Sequence, residues 1–478
     1  MIPIALYEVC LPLPIGFLLV RALAPRIGMV LAACLGLGIG IGAVSCAYFI
    51  SLFTGLPSVV LESALVLGIL LFMWRAAPQS PQRVAAKPFT RLELGLGLAF
   101  VVFLGCGIRG WMLQWRVAPH GFWDAWAIWN LRARFLTTDY WRDGLSPVLY
   151  WSHPDYPLLL SGFVARMWRF TGGWDPGVSA VTSFLFTFGT VCLLVASLTL
   201  LKSRAYGFAA GIILLGTPYF ITYGTAQLAD IPLSFFILST LALLALQDRF
   251  GPESSGLAVL AGLTAALAAW TKNEGLMLVA AVVLVRAIVL FRAGGKRMVI
   301  GQGRFFVLGM APVLLLIAFF KHFAPPNPHI GTQSAATLLA MVTDKSRYAE
   351  VNQAFVKHFF SFGNLSVGVF LILAVWLACA GLDVKKNRAA AHTALGTLAA
   401  MLAGYYVVYL ISPFGVAWLV ATSLDRVLLQ LWPAVIFTAF LCARVPVEAW
   451  PEPGPSPAAR PDDAEAAPSL PATTATLS

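Results

Sequence analysis

Apolar residues fall in about thirteen runs separated by short polar linkers, centred in 2–20, 28–53, 57–74, 93–113, 176–200, 206–223, 231–247, 256–270, 276–292, 305–320, 362–380, 393–411 and 427–443. A hydrocarbon core about 30 Å thick takes about 20 apolar helical residues to cross. The pattern therefore predicts an all-α, polytopic integral membrane protein with about thirteen transmembrane helices. The run at 256–270 is short and Ala-rich, so its ends are the least defined of the set. The first run holds Glu8, Pro12 and Pro14, lacks a basic stretch ahead of it and is followed by further runs, which reads as a retained helix, not a cleaved leader.

The linkers alternate in charge. Arg21/Arg26, Arg75/Arg83/Lys87/Arg91, Lys202/Arg204, Arg249, Arg292/Lys296/Arg297/Arg304 and Lys385/Lys386/Arg388 occur at every second crossing, which places them in the cytoplasm, the amino terminus outside and the tail inside. Composition agrees with this reading: 59% of the 478 residues are hydrophobic and 11% charged, which excludes a soluble enzyme. The formal charge of +11 would suggest a nucleic acid partner in a soluble chain. Concentrated in alternate linkers it reads as topology instead, with membrane lipids as the surroundings and no nucleic acid expected. Cys10, Cys34, Cys46, Cys106, Cys192, Cys379 and Cys442 lie in or beside apolar runs without paired spacing, so neither a disulfide framework nor a zinc site is predicted. Four regions follow: three leading helices in 1–75, a Pro-, Ala- and Arg/Lys-rich cytoplasmic linker at 76–92, a main membrane module at 93–445, and a Pro/Ala/Thr-biased tail at 446–478 that is expected to be disordered. No internal repeat is visible, which weighs mildly against a carrier.

Two outward segments, 114–175 and 321–361, are too long to be turns. The first, with its flanks, carries Trp111, Trp115, Trp123, Trp126, Trp129, Trp141, Trp151, Trp168 and Trp174, and so reads as juxtamembrane helices lying at headgroup level. Charged groups near this face draw interest because desolvating them is costly. Asp124, in Gly121-Phe122-Trp123-Asp124-Ala125-Trp126, reads either as a base placed to accept a proton from an acceptor or as an interfacial helix cap. His153-Pro154-Asp155-Tyr156-Pro157 predicts a rigid, extended lead into the next apolar stretch, holding His153 and Asp155 near the interface, or else a re-entrant turn in which His153 satisfies a carbonyl. Asp230, ahead of Pro232, reads locally as a helix cap. Lys272 and Glu274 share a tight outward turn and could neutralise each other. Arg426 stands near the positive end of its helix on the outer side, unfavourable on both counts; either Asp425 pairs with it, or Lys272 and Arg426 enclose an anion such as a phosphate.

In order along the chain, these motifs resemble the GT-C class of membrane glycosyltransferases, especially the bacterial family 39 relatives of protein O-mannosyltransferases and lipid A aminoarabinose transferases. Asp124, His153 to Leu158, Asp230 to Phe236, Trp270 to Gly275 and Arg426 to Pro433 look like that family's successive motifs, over about residues 90–440. The chain departs where the family often has Asp-Glu, here Asp124-Ala125, and where Pro-Pro is usual, here Pro154-Asp155-Tyr156-Pro157. The resemblance implies a GT-C-like fold and a polyprenyl-phosphate-linked sugar donor, with a lipid, glycan or protein acceptor. It places the enzyme in the membrane, as in a bacterial inner membrane, with its site facing the periplasm. Asp124 is then the base of an inverting single displacement. Lys272, Arg426 and His153 hold the donor phosphate, and Asp155, Tyr156, Asp230 and Glu274 contact substrate, with Asp155 and Glu274 also in reserve as the base. His120, Asp124 and His153 offer atoms for a divalent cation, but their spacing matches no recognised ligand pattern, so no obligatory cofactor is expected.

Two rivals share parts of this description. A secondary transporter also has Gly/Pro-interrupted polytopic helices, yet it predicts charges near the bilayer midplane, whereas most polar groups here gather at one outer face. A lipid-linked glycan polymerase or ligase would share the donor class, and motif order favours the transferase.

Overall fold

The computed structural model describes residues 10–75, 88–251, 253–327 and 333–444. The chain there forms α1 (Pro12–Leu23), α2 (Met29–Thr54), α3 (Ser58–Arg75), α4 (Arg91–Val117), α5 (Leu131–Leu136), α6 (Leu159–Thr171), α7 (Pro176–Leu201), α8 (Arg204–Leu215) and α9 (Pro218–Thr225). It continues through α10 (Asp230–Phe250), α11 (Ser255–Thr271), α12 (Glu274–Phe323), α13 (Ala335–Thr343), α14 (Lys345–Ser361), α15 (Val369–Ala380), α16 (Arg388–Ile411), α17 (Val416–Leu419) and α18 (Asp425–Cys442). Among the described residues the sole strand-like pairing is an isolated bridge between Leu382 and Ala443, so the fold is all-α. Glu8, most of the 76–92 linker and the 446–478 tail lie outside the described residues.

Each of the thirteen apolar runs contains helix among the described residues, though not one helix per run. Run 206–223 is divided into α8 and α9, bent by 67°, where Pro218 at the first position of α9 restarts the helix after Thr217. Runs 276–292 and 305–320 are the two halves of α12, which breaks at Gly294 and Gly295; Gly295 has φ 64°, a left-handed conformation open to a residue without a Cβ. By length and composition eight helices among the described residues can cross a membrane, or nine when α8 and α9 count as one span; α1, α11 and α15 are apolar but shorter.

The bundle is arranged around α10, whose apolar window is wholly buried. It packs against α7, α11, α16 and α18. A helix apolar on every side belongs in such a position. By contrast α3 and α4 bury 17% and 11% of their windows and turn Leu67, Leu70, Leu94, Leu98 and Val101 outward, as lipid-facing helices do. Between α11 and α12 the backbones meet: a Cβ at Gly262 would lie 2.0 Å from the Phe306 carbonyl oxygen, and one at Gly309 would lie 1.9 Å from that of Val259. Small residues permit this approach, which replaces side-chain burial by direct packing of helix on helix.

Of the nine tryptophans in and beside segment 114–175, Trp115 is half-buried and the other eight divide into two sets. Trp111, Trp129, Trp141 and Trp168 are buried, so they belong to the core and not to an interfacial belt. Trp123, Trp126, Trp151 and Trp174 are exposed, as the sequence pattern predicts for all nine. The segment has too many helical turns tied to the bundle for every indole to face outward; Trp111 Nε1, for instance, donates to the Gly224 carbonyl at 3.0 Å. In segment 321–361, α14 is fastened by Arg347, which donates to the carbonyls of Tyr409 (3.1 Å) and Ser412 (2.5 Å).

The lightly buried α3 is held by one strong polar contact. Arg166 of α6 donates to both oxygens of Glu62, at 2.6 and 2.5 Å, and both side chains are fully buried. Removing one partner of a buried pair strands the other charge at a cost of about 3–5 kcal/mol, whereas replacing both by apolar side chains is often neutral. Glu62→Leu is therefore expected to lower the thermal midpoint of the detergent-extracted protein well below that of the double variant Glu62→Leu/Arg166→Met. Fluorescence-detected size-exclusion after heating measures both, and equal midpoints would remove this pair as the anchor of α3.

Candidate active site

Five ionised side chains from four separate parts of the chain form one continuous array. Asp124 Oδ2 lies 2.7 Å from Arg426 Nη1, and Arg426 Nε donates to Asp230 Oδ2 at 3.0 Å. Lys272 Nζ donates to Asp230 Oδ1 at 3.0 Å and pairs with Glu274 Oε1 at 2.8 Å. Gln430 Nε2 adds a donation of 2.6 Å to Asp230 Oδ1, and Tyr405 donates its hydroxyl to Gln430 Oε1 at 2.7 Å. Asp230 is thus the hub: it is fully buried and both of its oxygens are occupied by cations or amide, so it presents no free oxygen to a ligand. Asp124 (22% exposed) and Arg426 (15%) form the accessible end of the array, and Oδ1 of Asp124 accepts no hydrogen bond from the described residues.

Local structure explains how these groups arrive there. Asp124 stands at the cap position of a π-helix, Ala125–Asn130, and a second π-helix, Val420–Leu424, ends immediately before Asp425 and Arg426. A π-turn shifts the register of the residues that follow, and such turns recur at functional sites. Neither aspartate caps its helix: the side chain of Asp124 makes no capping bond, and α10 is preceded by Ala229, while the carboxylate of Asp230 faces Lys272 and Arg426. The helix-cap readings of both residues therefore give way to ion pairing. Arg426 does not pair with its neighbour. Asp425 instead contacts His358 Nδ1 of α14 at 2.8 Å and accepts from the Tyr219 hydroxyl at 3.2 Å.

A second polar cluster adjoins the array through the Lys272–Glu274 turn. Asn273 Nδ2 donates to Asp155 Oδ2 at 2.6 Å, Asn327 Nδ2 donates to the same oxygen at 3.0 Å, and Lys321 Nζ donates to Asn273 Oδ1 (2.7 Å) and to the Asp155 carbonyl (2.6 Å). Asp155 Oδ1 is buried without a hydrogen-bond partner, 3.9 Å from His153 Nδ1, and Glu274 Oε2 is likewise unpartnered. Burial pushes the Asp155 carboxyl above the usual carboxylate range, against the pull of Lys321, the Asn273 hydrogen bond and Arg132. His153 stacks on Tyr156 with ring centres 4.7 Å apart, Tyr156 stacks on Trp129 at 5.6 Å, and Lys272 Nζ lies 5.9 Å from the Tyr156 ring centre.

The lead into α6 is not extended. His153 has φ 48° and ψ 61°, left-handed despite the following proline, and residues 154–156 form a turn. Arg132 compensates for this strained backbone by donating to the carbonyls of Ser152 (2.8 Å), His153 and Tyr156 (2.8 Å). This arginine satisfies carbonyls of the turn. Its guanidinium is buried, and burial lowers it to about 10.

Of the residues singled out in the sequence, Asp124, Asp230, Lys272, Glu274 and Arg426 come together directly, and His153, Asp155 and Tyr156 form the adjoining cluster. His120, Asp124 and His153 do not converge: among the described residues no three His, Cys, Asp or Glu side chains are placed to hold a metal ion. Sequence reading missed Asn273, Lys321, Asn327, Gln430 and His358. Gln430 had a usable signal, since a polar side chain one turn after Arg426 in an otherwise apolar run is costly to bury without a partner. Asn273 sits inside the quoted Lys272–Glu274 turn and was hidden by its charged neighbours.

The family model described as dolichyl-phosphate-mannose-protein mannosyltransferase matches residues 163–324, which run from α6 to the loop after α12. The match takes in Asp230, Lys272 and Glu274 and leaves Asp124, His153, Asp155 and Arg426 outside. No curated protein and no solved structure matches the chain. Residues 163–324 are thus similar to the mannosyltransferase domain of the GT-C family 39 type, and the all-α polytopic bundle agrees with a membrane glycosyltransferase of that kind.

Proposed function

We propose that the ion array is the catalytic centre of a transferase that moves a sugar from a polyprenyl-phosphate donor to an acceptor at the extracytoplasmic face of the membrane, in an inverting single displacement. The observation that carries this reading is Arg426 bridging Asp124 and Asp230 at the accessible end of the array. Three carboxylates there face two cations, so the array as it stands has no positive charge to spare for a phosphate. A donor phosphodiester must compete with Asp124 for Arg426. Once the phosphate takes the guanidinium, Asp124 is released as a base beside the reacting carbon.

In the reaction Asp124 takes the proton of the acceptor hydroxyl or amine as that atom attacks the anomeric carbon. The bond from this carbon to the phosphate oxygen breaks, and polyprenyl phosphate leaves with the bonding electrons. A phosphate leaves without a general acid, so the protein's task is to stabilise the growing charge, through Arg426 and Lys272 with His153 nearby. Asp230, buried and saturated, holds both cations in position. The unpartnered oxygens of Asp155 and Glu274 suit hydroxyls of the donor sugar, with the Tyr156 ring beside them. No obligatory metal enters this reading. The acceptor is a lipid, glycan or protein, and the setting proposed is a bacterial inner membrane with the site toward the periplasm.

A positioned base contributes about 10²–10⁴ in rate. Asp124→Asn is therefore expected to cut transfer from radiolabelled polyprenyl-phosphate sugars in isolated membranes by about that factor while the protein remains inserted and folded. Undiminished transfer by this variant would place the base elsewhere. Losing one hydrogen bond to a charged acceptor costs about 1.5–3 kcal/mol. Glu274→Gln, which keeps the size of the side chain, is accordingly expected to raise the KM for the donor about tenfold with a smaller change in kcat. Steady-state kinetics with the same donor check this, and an unchanged donor KM would remove Glu274 from the sugar site.

A further inference from the structure

The residues on either side of Asp124 in the chain belong to an aromatic surface that the donor chemistry does not use. Trp123 and Trp126 flank Asp124 in the chain, and Trp151 comes to them from the Pro147–Ser152 turn. The Trp123 ring centre is 5.8 Å from that of Trp126 and 6.4 Å from that of Trp151. The three side chains are 51%, 52% and 42% exposed, and none of their indole N–H groups has a partner among the described residues.

This surface is built on a fixed frame. Ser152, buried next to Trp151, donates to the Ala127 carbonyl at 2.7 Å, which clamps the Trp151 turn onto the π-helix that carries Trp126. Arg132 closes the same turn from within through the Ser152 and His153 carbonyls. Trp174, exposed in the same outer segment, is different: Arg134 lies over its ring at 5.1 Å and its N–H donates to Thr137 at 3.1 Å.

We infer that the acceptor is a saccharide whose ring packs on the indoles of Trp123, Trp126 and Trp151, presenting its hydroxyl to Asp124. This rests on the reading of Asp124 as the base. An indole face carries negative charge density and attracts the C–H edge of a pyranose, while the free indole N–H groups suit its peripheral hydroxyls. A site for an acyl chain would be aliphatic, as on α4, where Leu92, Leu94, Leu98 and Val101 face outward. A peptide acceptor would call for backbone donors and acceptors, and the three indoles supply donors only.

The test uses the full-length protein in detergent and saturation-transfer NMR with methyl glycosides of glucose and mannose as probes, and a threonine tripeptide and a short-chain phosphatidylglycerol as comparators. Wild-type protein is expected to transfer saturation to the pyranose ring protons. Trp123→Leu and Trp151→Leu should reduce that transfer about fivefold, Trp151→Phe should restore about half of it, and Trp174→Leu should leave it unchanged. The inference is overturned if neither glycoside gives a signal, if the Leu variants match the wild type, or if the three tryptophans govern only the tripeptide or lipid signal. Consumption of the polyprenyl-phosphate donor is followed in parallel. A wild-type protein that consumes donor yet binds no glycoside keeps the donor chemistry and loses only the saccharide acceptor, whereas failure of both removes the parent reading.

Discussion

Arg426 is held by two carboxylates at once, Asp124 near the surface and Asp230 in the interior, and much of the surrounding architecture can be understood as what makes that arrangement tolerable. A guanidinium at the start of a helix meets an unfavourable dipole and, partly buried, loses solvent. Asp230 offsets both costs, but a buried carboxylate is itself expensive unless every oxygen is bonded. Lys272 and Gln430 complete its shell, and Tyr405 in turn fixes the amide of Gln430. Asp230 is saturated, and Asp124 and Arg426 remain the accessible end of the network.

This demand explains why α10 is the most enclosed helix of the bundle. It must deliver Asp230 to the point where α11, α12 and α18 approach, and its apolar surface packs on all sides to do so. The close passage of α11 over α12 at Gly262 and Gly309 belongs to the same geometry, because the turn carrying Lys272, Asn273 and Glu274 joins these two helices. Arg132 plays a comparable part for the loop. Its donations to three carbonyls hold a left-handed His153 and the turn that presents Asp155 and Tyr156.

A good part of this was legible in the chain. The apolar runs coincide with helices because twenty consecutive apolar residues admit few other structures in a bilayer. The charged residues beside the apolar runs stood out for a related reason: near lipid each needs a partner, so their presence points to a candidate site before the partner is known. What the runs concealed was bending. A helix broken at Gly294–Gly295 and a span bent at Pro218 look continuous or separate in hydropathy alone. The tryptophans misled more seriously, since an indole is equally suited to an interface and to a core. Trp129 and Trp168 are buried only because neighbouring helices cover them.

The sequence by itself determined the class of fold, most of the helices, and a set of charged side chains that form the candidate site, because these follow from local pattern: apolar length, proline and glycine placement, and the cost of a charge near lipid. Pairing was decided only in three dimensions. Arg426 and Asp230 lie 196 residues apart and Asn273 and Asp155 lie 118 apart, and no local rule favours those partners over Asp425 or a nearby carbonyl. The choice depends on the register of two π-helical turns and on how closely four helices pack, both of which come from the summed contacts of the whole bundle.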